Sequence, residues 1–116
     1  MANGIWNFPH VVDYTSDVDT EEGVLTTNDI RLFAYGRIAV FKFRLKAATN
    51  FPVSFVTTHT LPIKPSDGAN YQVMCAKTNT AGSVLVELVG ATGVVHVYSY
   101  SAAYTDWVTG ELLFPI

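Results

Sequence analysis

From Gly36 the chain reads GRIAVFKFRLKA, in which apolar residues recur at every second position. Ala39, Phe41, Phe43 and Leu45 share one face, with Ile38, Val40, Lys42 and Arg44 on the other. Period-two alternation suits a pleated strand with one face in a core, and does not suit a helix turning every 3.6 residues. The period returns along the chain. YQVMCAK sets Val73 and Cys75 against Gln72, Met74 and Ala76, and GSVLVELV sets Val84, Val86 and Leu88 against Ser83, Leu85 and Glu87. GVVHVYSY sets Val95 and Val97 against Val94, His96, Tyr98 and Tyr100, and GELLFPI sets Leu112, Phe114 and Ile116 against Glu111 and Leu113. Phe55 and Val53 share a face in VSFVTT.

Turn signals separate these runs: Asn50-Phe51-Pro52, Pro65-Ser66-Asp67-Gly68, Asn79-Thr80-Ala81-Gly82, Gly90-Ala91-Thr92-Gly93 and Gly110. Short β runs with a turn about every ten residues predict an all-β, antiparallel sandwich or jelly roll. The nearest helical candidate, Asp17 to Val24, is acidic, ends in glycine and has no apolar face, so no helix is expected.

Several strands are apolar on both faces, as with Ile38 and Val40 opposite Ala39 and Phe41. A two-layer sandwich with wet outer faces alternates more cleanly. A further layer is implied, and in a chain of 116 residues, which makes one domain, that layer is another copy. The alternative is a monomer with a somewhat apolar surface. Composition agrees with a subunit: 49% of residues are hydrophobic and only 15% charged, against roughly 25% charged in ordinary domains.

Charge and cysteine content exclude several function classes. Net charge is −3, and the longest basic grouping is Lys42/Arg44/Lys46, which argues against nucleic-acid binding. One cysteine, Cys75, leaves no intrachain disulfide and no cysteine zinc cluster, and its apolar setting suits a small core residue. No apolar run approaches the roughly 20 residues of a membrane helix, and MANGIWNFPH lacks the basic and apolar regions of a signal peptide. His10, His59 and His96 show no metal-ligand spacing, with His59 following a strand and His96 inside one. The acidic stretch Asp13–Gly23 lacks the glycine and distal glutamate of a calcium loop. With no nucleophile elbow, P-loop or dinucleotide fingerprint, neither catalysis nor a cofactor or metal is expected.

Tyr98, Tyr100, Tyr104 and Trp107 cluster within ten residues, interleaved with Ser99, Ser101, Thr105 and Asp106. Aromatic rings offer flat apolar faces with polar edges, which suit the C–H face of a sugar, and a neighbouring carboxylate can accept hydroxyl protons. The competing reading makes Trp107 a plug at one end of the sandwich, with the tyrosines packed between chains.

Thr60-Leu61-Pro62, Pro65, Gly82-Ser83-Val84-Leu85-Val86, Gly93-Val94-Val95-His96-Val97 and Gly110 through Phe114, preceded by RLFAYGRIAVFKFRLKA as a long central strand, resemble the C-terminal head domain of bacteriophage tail fibres and receptor-binding proteins of the Gram-positive phage type. The likeness covers the chain from Arg31 onward. It implies a β-sandwich head over 31–116, assembled as a homotrimer, that attaches without cleavage to host cell-wall polysaccharide at the virion's tail tip. Residues 1–30 match nothing in it and are expected to be loop plus a short strand. If the chain is part of a longer fibre, other tail or baseplate proteins would adjoin it. By this resemblance His96, Tyr98, Tyr104, Asp106 and Trp107 are the saccharide-binding candidates. A structural trimerisation or capsid-decoration module without a ligand is the alternative, and a polysaccharide depolymerase fragment a third reading.

Overall fold

The computed structural model describes residues 11–20, 25–47, 55–78, 81–99 and 106–116. Among them run β1 (Val11–Asp13), β2 (Asp19–Thr20), β3 (Leu25–Tyr35), β4 (Ile38–Ala47), β5 (Phe55–Thr60), β6 (Tyr71–Ala76), β7 (Ser83–Val89), β8 (Val94–Ser99) and β9 (Val108–Pro115). They form two packed antiparallel sheets, ordered β1-β3-β4-β9 and β2-β5-β8-β7-β6. The only helical turn among the described residues is a 3₁₀ turn, Thr15–Asp17. The protein is an all-β sandwich.

Alternation in the sequence becomes burial in the fold. Phe41, Phe43 and Leu45 of β4 and Leu112 and Phe114 of β9 line the inner face of the first sheet. Val84, Val86 and Leu88 of β7 and Val95 and Val97 of β8 line that of the second, and all of these residues are buried. At about 1.5–3 kcal/mol for each large apolar side chain fully buried, these two rows supply the main force holding the layers together.

RLFAYGRIAVFKFRLKA is not one strand, as the resemblance led us to expect, but a hairpin. Tyr35 pairs with Ile38, so Gly36-Arg37 is a two-residue turn, and Gly36 takes the left-handed φ of 60°. Such turns require positive φ because only then does their twist match that of the strands. β3 begins at Leu25 and so runs across residues 30 and 31, where the sequence suggested a boundary. The segment before it joins both sheets. β1 pairs with β3 and β2 with β5, while the intervening 3₁₀ turn is tied to β3 by Tyr14 N donating to Leu32 O and Leu32 N to Thr15 Oγ1. On the opposite side, β6 meets β9 through a Lys77–Val108 bridge, and Thr78 N donates to Trp107 O.

His59, expected just after a strand, lies inside β5. A register shift between Thr57 and His59 turns both Thr58 and His59 inward, each 1% exposed. The imidazole meets Phe41 edge-on, with centroids 5.7 Å apart, and its Nδ1 lies 2.9 Å from Thr58 Oγ1. Burial disfavours the charged ring and pushes its pKa down from 6.5 to about 4.

Two predictions follow the packing. Gly110 faces the core opposite Phe43, and a Cβ there would sit 2.8 Å from Phe43 Cζ and 2.9 Å from Cys75 Sγ. Gly110→Ala should therefore cost about 1–3 kcal/mol, read by chemical denaturation, with Cys75→Ala in the same chain restoring part of the loss. For His59, the unfolded chain takes up a proton near pH 6.5 and the folded one only near 4. Stability should be complete above the higher value and fall by about 3 kcal/mol on acidification through that window. His59→Gln should flatten the slope by about one proton; an unchanged slope would place the proton uptake elsewhere.

Candidate functional site

The β7–β8 hairpin sets the geometry of the outer face of the five-stranded sheet. Its loop closes with Gly93 at φ 79°, Gly93 N donating to Val89 O, and pairs Val89 with Val94. Counting back along both strands places Glu87 opposite His96 and Leu85 opposite Tyr98. The β6–β7 pairing adds Gln72 beside Glu87 and Met74 beside Leu85. Because Val84, Val86, Leu88, Val95 and Val97 point inward, the residues between them point out.

The result is a connected polar cluster on that outer face. Gln72 Nε2 donates to Glu87 Oε2 at 2.5 Å, and Tyr98 OH donates to Glu87 Oε1 at 3.1 Å. The Tyr98 oxygen lies 3.4 Å from His96 Nδ1, and the two rings meet edge-on with centroids 6.0 Å apart. Both Glu87 oxygens are thus anchored, yet each keeps acceptor capacity, since a carboxylate offers about four lone-pair sites. Met74, 57% exposed, and the half-buried Leu85 put apolar surface alongside. A carboxylate, an amide, an imidazole and a phenol beside an apolar strip suit a ligand with several hydroxyls and a C–H face. Among the described residues no group of three histidine, cysteine or acidic side chains is placed to hold a metal ion. No helix among them is long and apolar enough to cross a membrane.

Of the five candidates named from sequence, the fold brings His96 and Tyr98 together. Asp106 and Trp107 stand elsewhere. Arg44, on the outer face of the four-stranded sheet, lies over the Trp107 ring with its guanidinium carbon 4.1 Å from the centroid, and Lys46 Nζ is 5.7 Å away. The Trp107 carbonyl accepts hydrogen bonds from both Thr78 N and Thr78 Oγ1 at 3.0 Å, and Trp107 N donates to Asp106 Oδ1 at 2.7 Å. The Trp107 backbone is therefore tied to the end of β6, while its indole lies under Arg44 of β4. The pairs His96–Tyr98 and Asp106–Trp107 belong to outer faces that look away from each other. Tyr104 falls outside the described residues, as does Tyr100.

Glu87 and Gln72 were not singled out from sequence. A usable signal was present for Glu87: once the Gly90–Gly93 loop is taken as the hairpin turn, Val89 and Val94 pair, and every outward partner of β8 follows. Gln72 needs the β6–β7 register, which a loop of six residues between those strands does not fix.

Comparison with protein-family models, with curated proteins and with solved structures finds no match to the chain.

Proposed function

We propose that this chain is a non-catalytic attachment head: a β-sandwich that assembles with copies of itself, as a homotrimer, and binds saccharide on the host cell wall at the tail tip of a bacteriophage. The observation that carries the saccharide reading is the Gln72–Glu87–Tyr98–His96 cluster, a hydrogen-bonded polar patch across β8, β7 and the edge strand β6, with Met74 exposed beside it. Neighbouring tail or baseplate proteins would hold the assembly, and repetition over three chains would convert weak single-site binding into firm attachment.

The assembly reading is supported by the other sheet. Register places Val11, Tyr35, Ile38 and Pro115 in one outward row, and Phe33, Val40 and Leu113 in the next, with Asp13 at that row's β1 end. Val11 is 56%, Ile38 49% and Leu113 52% exposed. A shallow apolar cleft of about 220 Å³ lies among Ile38, Leu113, Phe114 and Pro115. Contiguous apolar surface of this kind marks an interaction face. The same face favours a second reading, in which the chain is a structural trimerisation or decoration module with no ligand.

The two readings separate experimentally. Titration with host-wall polysaccharide should show millimolar or tighter binding, reduced about tenfold or more by Tyr98→Phe or Glu87→Gln, since each removes a hydrogen bond involving a charge. A flat titration with wild-type protein would leave the structural module. Independently, light scattering should give the mass of three chains, and Leu113→Glu should reduce it to one. A wild-type monomer would end the assembly reading.

A further inference from the structure

The same outer face that is apolar at one end is charged at the other. After the Phe33–Val40–Leu113 row comes Arg31–Lys42–Glu111, and then Asp29–Arg44–Thr109. Lys46 and Trp107 follow, with Arg44 stacked on the indole. Four of the chain's seven Lys and Arg residues thus stand on one half of one face, in a protein of net charge −3. Between them lies a cleft of about 230 Å³ lined by Asp29, Arg31, Lys42, Phe43, Arg44 and Thr109. Its lining holds three cations and one carboxylate. Of the other acidic residues on this face, Glu111 stands beside Lys42, and Asp13, whose carboxyl is held below its usual range chiefly by Thr15, feels Arg31 from the β1 side.

Two features favour an anion here. Arg31 and Lys42 are directly opposite on neighbouring strands, which brings two like charges together at one side of the cleft, with Glu111 opposite Lys42 on the other strand. Arg44 is held against Trp107 instead of extending freely into water, which fixes its planar fork and leaves the N–H edge available. An arginine stacked in this way is pre-organised for an oxyanion. A bare ion would not use the rest of the cleft, where Asp29 and Thr109 can accept and donate hydrogen bonds to hydroxyls.

We propose that this cleft is a second binding site, for an acidic sugar: a hexose-sized ring bearing a carboxylate or phosphate that Arg31, Lys42 and Arg44 hold while Asp29 and Thr109 take its hydroxyls. The site lies on the opposite sheet from Glu87, His96 and Tyr98 and does not depend on binding there.

Amide-resolved NMR titration of the full chain with glucuronate, glucose 6-phosphate, glucose and inorganic phosphate tests it, because the three sugars share a ring and differ in the charged group. Glucuronate or glucose 6-phosphate should shift amides of β4 and β9 around Lys42, Arg44 and Thr109, saturably, with the better of the two identifying the anion. Glucose should leave them in place. Lys42→Gln and Arg44→Gln should each weaken the response about tenfold or more, while Lys64→Gln, an equal loss of charge in the loop before β6, should not. The proposal fails if neither acidic sugar shifts these amides, if glucose or inorganic phosphate does so equally well, if the β4 variants bind as wild type, or if a short oligothymidylate binds the same amides more strongly.

Discussion

The two inner rows, phenylalanine and leucine from β4 and β9 against valine and leucine from β7 and β8, fix more than the core. Each buried side chain forces its neighbours along the strand outward, so the sequence of the core strands also writes the sequence of both outer faces. A slip of one residue in β8 would bring His96 and Tyr98 into the core and put Val95 and Val97 in water. The loop ending at Gly93 guards against that slip, because its left-handed φ is open to glycine and strained for other residues. The polar cluster on the five-stranded sheet is therefore held in place by packing it does not itself touch.

The outer face of the four-stranded sheet is divided across the strands, not along them. Apolar pairs lie near the Gly36-Arg37 turn and charged pairs toward the far end of β4 and the start of β9. A single strand, β4, passes through both regions, moving from Ile38 and Val40 to Lys42 and Arg44. If copies stack on the apolar end, the charged end remains at the margin of that contact. A ligand there would sense the assembly without being covered by it.

Much of this was legible in period-two alternation. The faces assigned to β4, β7, β8 and β9 are the faces observed, because burial on one side of a sheet is a local property of each strand. What could not be read locally is which strands lie side by side. Asp106 and Trp107 follow Tyr98 and Tyr100 closely in sequence, yet the chain crosses from one sheet to the other between β8 and β9. Proximity along the chain then says nothing about proximity in space. Glu87 and Gln72 were overlooked for the converse reason: they come to Tyr98 through pairing, from strands where they read as ordinary surface residues. Arg31 was left out of the Lys42/Arg44/Lys46 grouping in the same way, its place opposite Lys42 being set by the hairpin at Gly36. His59 went unread because the inward turn depends on a bulge, and a bulge leaves no mark in a hydrophobic pattern.

The treatment of the sheet edges has a consequence for solution behaviour. Among the described residues, the outer edges beyond β3 and β5 are occupied by strands of three and two residues, β1 and β2. At the other side β9 is engaged near its start by Lys77 and Thr78, and near its end by Ser66 N donating to the Pro115 carbonyl. Long unpaired edges are what allow sheets to recruit further strands into fibrils. A chain this rich in valine, phenylalanine and leucine has the composition of an aggregator, and short edge strands at β1 and β2 shield β3 and β5 from that pathway. At these two edges an encounter between folded copies meets a short strand in place of a long open one, which leaves the sheet faces as the broader surfaces for contact.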